Sequence, residues 1–285
     1  MIKDTRCLLP VLGLLAILPT CARAQTTTSS PVEKKMPIEI VAHRGASADA
    51  PENTLASVKL GWKQNADAVE VDVHLTKDHN IVVSHDGNTR RTAGVDKNIV
   101  DQTLQEIQSL DAGSWRGKEW IGEKIPTLAD VLATIPDNKR MFVEIKCGPE
   151  IIPELQRVVT ASKKKPQQIA FISFSLEVCA EVKKAMPKHQ VYFLCGFSLD
   201  EKTHAWRPTT DELIAAAQKA KIDGLDIACS GPVDGEFVRK VHAAGLKAFV
   251  WTVDDPGAAK LFKTIAMDGI TTNRPAFLRE QLSAK

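Results

Sequence analysis

A chain of 285 residues is long enough to bury a full core without disulfides or structural metals. Its formal charge of +2 gives no electrostatic case for nucleic acid as a partner, so any affinity for phosphate must be local. No segment is apolar over the roughly 20 residues that a spanning helix needs, so stable membrane insertion is not expected.

Lys3 and Arg6 precede an apolar stretch over residues 7–19, and Ala22-Arg23-Ala24 closes it. This is the pattern of a secretory leader over residues 1–24, and it predicts an exported protein, periplasmic or secreted. A lipoprotein box at Leu18-Pro19-Thr20-Cys21 fits less well, because Pro and Thr precede the Cys. Lys3, Arg6, Arg23 and Asp4 account for the positive charge, so the mature chain is neutral. Residues 25–37 are polar and read as a flexible linker.

Residues 38–285 alternate short β-branched runs with amphipathic helical stretches. Strands are predicted at 38–42, 68–73, 140–146, 169–173, 190–194, 224–228, 247–252 and 269–271. Eight strands with helices between them predict an α/β fold, a parallel (β/α)8 TIM barrel, whose usual size of about 250 residues fits this length. One more extended run, 81–84, is separated from the previous extended stretch by only Lys77-Asp78-His79-Asn80. Parallel strands need a crossover of a dozen or more residues, so this run must fold back as a hairpin. The hairpin carries His85 back towards the carboxyl end of the second strand. Residues 87–126, with a short helix near 103–109 and with Trp115 and Trp120, are expected to form an inserted excursion over the barrel mouth. Asn53 or Thr54 is expected to cap the helix that carries Leu55, Val58 and Leu60. Thr127-Leu128-Ala129-Asp130 resembles a capping box with Asp in place of Glu.

Of six cysteines, Cys147, Cys179, Cys195 and Cys229 follow the leader. Export permits disulfides, but three of the four lie at or just beyond predicted strand ends, where a buried small side chain is expected. Mostly free, buried thiols are therefore expected, with Cys195 and Cys229 the pair to check first.

In the second strand Val69, Val71 and Val73 alternate with Glu70, Asp72 and His74, giving one apolar and one ionisable face. Inward carboxylates on a barrel strand need a partner. Glu144 and Lys146 alternate in the same way at the end of the third strand, towards the carboxyl ends where barrel active sites lie. The all-oxygen set Glu70, Asp72 and Glu144 suits Ca²⁺ or Mg²⁺ rather than zinc. A salt-bridge network with Arg44 and Lys146 as counter-charges is the alternative, and spacing alone leaves the two level. His43, ahead of Arg44-Gly45, and His85, ahead of Asp86, could share proton donation and removal near neutral pH. Adjacent residues on an extended chain point to opposite faces, so tuning of His85 by Asp86 is not assured. His74 and His204 also fall near the predicted mouth and are assigned no role.

The motifs His43-Arg44-Gly45, Pro51-Glu52-Asn53-Thr54, Glu70-x-Asp72, Leu75-Thr76-Lys77-Asp78, His85-Asp86, Leu110-Asp111-Ala112-Gly113-Ser114-Trp115, Ile125-Pro126-Thr127-Leu128, Glu144-Ile145-Lys146 and Trp251-Thr252-Val253 occur in this order. The series resembles the glycerophosphodiester phosphodiesterase family from about Ile38 to Pro275. The resemblance implies a (β/α)8 barrel with a small subdomain inserted after the second strand. It implies metal-dependent hydrolysis of glycerophosphodiesters to glycerol 3-phosphate and an alcohol. It further implies His43 and His85 as the acid and base pair and Glu70, Asp72 and Glu144 as metal ligands. Arg44 and Lys146 become phosphate contacts and Trp251 a wall for the glycerol moiety. Glu52 either orients Arg44 or lies near the metal. Asn273 stands where the family often has Asp, a departure expected to leave the chemistry untouched.

Two other functions share these residues. A lysophospholipase D or sphingomyelinase D-like activity would use the same site on a lipid, although the loop Glu201-Lys202-Thr203-His204-Ala205-Trp206-Arg207-Pro208 is largely polar. A non-catalytic phosphodiester-binding protein is the third reading, which the presence of both histidines disfavours. The head group, the metal, the nucleophile, the order of acid and base, and the oligomeric state are left open by the sequence.

Overall fold

The computed structural model describes residues 38–283; the leader expected over 1–24 and the linker over 25–37 lie outside them. Strands run in chain order as β1 (Glu39–Ala42), β2 (Ala68–Leu75), β3 (Ile81–Val83), β4 (Arg140–Ile145), β5 (Ile169–Ser173), β6 (Gln190–Cys195), β7 (Ser198–Leu199), β8 (Trp206–Arg207), β9 (Gly224–Ala228), β10 (Lys247–Trp251) and β11 (Gly269–Thr272). Helices are α1 (Leu55–Lys63), α2 (Arg90–Ala93), α3 (Leu104–Ser109), α4 (Leu128–Ala133), α5 (Ile152–Ala161), α6 (Leu176–Ala185), α7 (Thr210–Ala220), α8 (Gly235–Ala243), α9 (Pro256–Thr264) and α10 (Pro275–Ser283). The parallel strands pair in the order β1-β11-β10-β9-β6-β5-β4-β2, and a β1–β2 pairing closes the ring. These are the eight predicted barrel strands, with β2 two residues longer and the other ends within one residue. Among the described residues no helix is long and apolar enough to cross a membrane.

Two apolar layers hold the barrel. Val69, Val71, Val73, Met141 and Val143 face outwards and pack under the helices with Val58, Leu128, Leu132 and Leu155. The inner layer contains Val41, Ala68, Phe142, Ala170, Ile172, Tyr192, Leu194 and Phe249, with the Phe142, Tyr192 and Phe249 rings 4.8–5.7 Å apart. Paired residues on parallel strands share a face. Glu70 pairs with the inward Phe142, and Asp226 with the inward Phe249, so both acids point into the barrel. Gly269 pairs with Phe249 on the other side, and its missing side chain makes room for that ring.

The short turn after β2 forms the expected hairpin: β3 runs antiparallel to β2, with Val73 opposite Val83 and Leu75 opposite Ile81. His79 takes a positive φ of 59° there, and the Thr76 hydroxyl accepts from the Asn80 N–H at 2.9 Å. The segment that follows has its own small core, Val82, Ile99, Ile107, Ala112 and Ile125. Arg91 ties it to the loop after β1 by donating to Glu52, and Arg116 does so by donating to the Ala48 carbonyl. Thr54 is the cap of α1, and Thr127 with Asp130 forms a reciprocal capping box at α4.

Two expectations need correction. The segment after β6 is not simply a loop: β7 and β8 form a small antiparallel hairpin, too short to carry a readable alternation. All four described cysteines are free, as expected, but only Cys179, on α6, is buried; Cys147 and Cys195 at strand ends are half-buried, and Cys229, past the end of β9, is exposed. Burial pushes the Cys179 thiol up to about 12 and the Cys147 thiol up to about 11.

A methyl group at Gly269 would sit 2.6 Å from two Phe249 ring carbons and 3.1 Å from the Glu39 carbonyl oxygen. Gly269→Ala is therefore expected to lower stability by about 1–3 kcal/mol, the usual range for overpacking a core. A thermal melt indistinguishable from wild type would contradict that account of the inner layer.

Candidate active site

The site is built on the neighbouring strands β2 and β4. Asp72 pairs with Glu144 in register, and Glu70 lies two residues earlier on the same inward face. All three are buried, and one oxygen from each lies within 4.8 Å of the others. Like charges at this spacing need cations. The Lys146 ammonium is 2.7 Å from Glu144 Oε1 and 3.6 Å from Asp72 Oδ1, and Arg44 Nε is 3.4 Å from Asp72 Oδ2.

Partners decide which carboxyl ionises. Burial pushes Asp72 up, but Arg44, Lys146 and a hydrogen bond from Asn53 bring it below its ordinary value. Glu144 is pushed up to about 7 by burial and by Asp72, against the pull of Lys146. Glu70 is raised well above the carboxylate range by burial and by its two acidic neighbours.

The loop after β1 is shaped to serve this wall. Arg44 and Gly45 take positive φ values of 53° and 79°. This turns the Arg44 N–H onto Glu70 Oε2 at 2.8 Å and the Gly45 N–H onto the Glu70 carbonyl at 3.2 Å. A side chain at position 45 would collide with the Ser57 backbone at 2.4 Å, so only glycine fits. Asn53, with φ 59°, brackets Asp72: its Nδ2 donates to Oδ2 at 2.8 Å and its Oδ1 accepts from the Asp72 N–H at 3.2 Å. Glu52 accepts from Arg44 Nη1 at 2.9 Å and from Arg91, and is not one of the three clustered acids.

Both histidines flank this wall. His43 follows β1, and its Nδ1 is 2.7 Å from Asn273 Oδ1. Burial and the adjacent Arg44 lower its pKa, and the Asn273 bond opposes them. Asn273, expected to leave the chemistry untouched, is thus in direct contact with His43. His85 follows the hairpin, where the Ser84 N–H donates to the Asp72 carbonyl at 3.0 Å. Its Nδ1 is 2.7 Å from Asp86 Oδ1, and Arg91 holds that carboxylate from the other side. The Asp86 side chain does meet His85, because the chain bends after Val83 and strand alternation no longer applies. Arg91, acting against partial burial, and His85 hold Asp86 down at about 2. His74 Nε2 lies 3.2 Å from the His85 carbonyl and supports that backbone.

Trp251 ends β10 and is half-buried, its Nε1 donating to the Asp226 carbonyl at 3.1 Å. Phe174, just past β5, packs edge-on against it with ring centres 5.5 Å apart, and the Lys146 ammonium lies 5.8 Å from the Phe174 centroid. Phe174 was missed in the sequence, although it continues the inward face of Ile172 by one more alternation. His204, in the turn of the β7–β8 hairpin, is exposed and has no partner in this constellation.

Glu70 Oε1 and Asp72 Oδ1 are buried and accept no hydrogen bond from any described residue. Buried carboxylate oxygens without donors, on two of three clustered acids, suit the donor set a hard divalent cation takes. Residues 43–277 match the profile of the glycerophosphoryl diester phosphodiesterase family. The chain belongs to that family.

It is a phosphoric diester hydrolase. A glycerophosphodiester phosphodiesterase of Caldanaerobacter subterraneus is 32% identical over 84% of this chain and 95% of its own length. One of Bacillus subtilis is 30% identical over 93% of this chain and 92% of its own. Among solved structures, an Oleispira antarctica phosphodiesterase in complex with the product sn-glycerol-3-phosphate superposes with a TM-score of 0.78. It is 27% identical and covers 87% of this chain and 98% of its own.

With the acids free of cation, Glu144 and Glu70 titrate above the ordinary 4.5, so between about pH 4.5 and 7 the folded state binds more protons than the unfolded. Their contribution to stability falls as pH rises through that window. The buried histidines act with the opposite sign, and Glu144→Gln isolates the acidic part. In chelator, wild type is expected to lose Tm relative to Glu144→Gln between pH 5 and 7.5, and a divalent cation should restore it at pH 7.5. Parallel pH profiles for the two proteins would exclude this.

Proposed function

We propose that this chain hydrolyses glycerophosphodiesters to sn-glycerol 3-phosphate and an alcohol by two-histidine acid and base catalysis. The observation that carries the reading is that the segments bearing His43 and His85 are each hydrogen-bonded to β2, the strand that carries Glu70 and Asp72 of the three-acid cluster. The product held by the Oleispira antarctica relative supports the substrate class.

Arg44 and Lys146 are the cationic groups available to phosphoryl oxygens, Arg44 oriented by Glu52 and Lys146 by Glu144. Glu70, Asp72 and Glu144 would hold a Ca²⁺ or Mg²⁺ ion, which when bound supplies positive charge to the phosphoryl group. The two imidazoles differ in their partners. His43 faces a neutral amide beside Arg44, and burial with Arg44 favours the neutral, proton-accepting ring against the pull of the Asn273 bond. His85 faces the Asp86 carboxylate, and a protonated ring gains a charge-assisted bond there. His43 therefore removes the proton from the attacking hydroxyl, of water or of the substrate's glycerol, whose oxygen bonds to phosphorus as the P–O bond to the head-group alcohol breaks; a cyclic phosphate formed by the glycerol hydroxyl then takes up water to give sn-glycerol 3-phosphate. His85 gives its proton to the departing oxygen.

A second reading, cleavage of the same bond in a lysophospholipid, draws on the apolar side chains Leu199 and Trp206, exposed on the β7–β8 hairpin. Turnover of glycerophosphocholine against that of lysophosphatidylcholine separates the two.

Release of glycerol 3-phosphate is expected from glycerophosphocholine, lost in chelator and restored by Ca²⁺ or Mg²⁺. His43→Ala and His85→Ala should each lower kcat by about 10²- to 10⁴-fold, the scale of general acid–base catalysis, while keeping the wild-type circular dichroism spectrum. Wild-type turnover in both variants would end the assignment.

A further inference from the structure

The carboxyl ends of three neighbouring strands, β10, β11 and β1, carry a hydrogen-bond chain that reaches His43 from outside the acidic wall. Asp254, after β10, accepts at Oδ1 from the Asn273 N–H and from the Thr272 hydroxyl, both at 2.8 Å. Its Oδ2 accepts from Asn273 Nδ2 at 2.6 Å. Asn273 Oδ1 then meets two groups, the Ser47 hydroxyl at 2.8 Å and His43 Nδ1 at 2.7 Å. Backbone bonds pin the same residues: His43 N–H to the Thr272 carbonyl at 2.8 Å and Ala48 N–H to the Asn273 carbonyl at 3.1 Å.

The proton positions in this chain follow one from another. A carboxylate only accepts, so the side of Asn273 that faces Asp254 must be its NH₂. The side facing His43 and Ser47 is therefore the amide oxygen, which also only accepts. His43 Nδ1 must then carry the hydrogen. Turning the Asn273 amide over would set its oxygen 2.6 Å from Asp254 Oδ2, acceptor against acceptor, so the amide has a single stable orientation.

We propose that Asn273, locked by Asp254, is a positioning residue that fixes neutral His43 as the Nδ1–H tautomer and leaves the lone pair on Nε2. This rests on the reading of His43 as the proton acceptor and names the residues that prepare it. The chain has no counterpart at His85, where the partner Asp86 accepts from Nδ1 directly and needs no orientation of its own.

The test is ¹⁵N NMR of histidine-labelled protein, with the His43 signals assigned by their loss in His43→Ala. Wild type is expected to show a protonated Nδ1 and an unprotonated Nε2 in the neutral ring; the reverse pattern overturns the proposal without any variant. Asp254→Asn offers an NH₂ where the carboxylate was, so Asn273 can turn over and present its own NH₂ to His43. This variant is expected to lose the Nδ1–H pattern and to lower kcat roughly 10- to 100-fold with KM within about twofold. Asn273→Leu, which removes the acceptor altogether, should do the same. Unchanged ring signals and unchanged kcat in both variants overturn the proposal. Wild-type turnover in His43→Ala would instead refute the catalytic reading of His43, while the ring signals of the unmutated protein still judge the tautomer.

Discussion

Three carboxyl groups on two adjacent strands, all facing the interior of a barrel, are the constraint around which the surrounding loops are built. The β2–β4 register sets Asp72 against Glu144, so their repulsion is fixed by the same hydrogen bonds that close the sheet. The inner layer below is aromatic and aliphatic, and its hydroxyl, on Tyr192, is paired with Arg140 rather than with the three acids. Compensation has to come from the mouth. Arg44, Lys146 and Asn53 supply it, and two of the three reach the wall only through left-handed backbone at Arg44 and Asn53. A non-glycine residue in that region carries a local strain, so its appearance twice in one loop marks where tertiary contacts outweigh backbone preference.

The barrel and its acidic wall were legible in the sequence because both follow periods. β-branched runs give the strands, alternation within β2 separates Val69, Val71 and Val73 from Glu70, Asp72 and His74, and a gap too short for a crossover forces β3 to reverse. What was not legible depends on contacts that no period carries. Asn273 and His43 are 230 positions apart and meet only because β11 and β1 are neighbours in the closed ring. Asn53 looked like one of two candidate caps, yet Thr54 caps the helix and Asn53 holds Asp72. The Asp86 contact escaped for a different reason: alternation describes extended chain, and His85 sits in a bend just after a strand has ended.

The two imidazoles show how one residue type is given two characters. Each is held at Nδ1 by a single oxygen 2.7 Å away, so the geometry is the same. The charge behind that oxygen is not. At His85 a carboxylate, itself secured by Arg91, lies directly against the ring. At His43 the carboxylate of Asp254 is one residue removed, and an amide stands between. Asp254 thereby fixes orientation without placing a negative charge against the ring, while Arg44 on the other side opposes protonation.

The same comparison holds among the buried acids. Asp72 has Arg44, Lys146 and Asn53 and is brought below its ordinary value despite being fully buried. Glu144 has Lys146 alone and rises to about 7. Asp226, inward on β9 and equally buried, has no hydrogen-bond donor at either oxygen, and burial with the field of Glu144 raises it well above the carboxylate range. Position inside the barrel does not set these charges; the donors that reach each acid do. Without donors Asp226 is pushed towards its protonated form, whereas the donors of Asp72 hold it towards its charged one. The donors that keep Asp72 charged come from the loop after β1 and the end of β4, beside the His43 segment, where a cation and a phosphoryl group would have to meet.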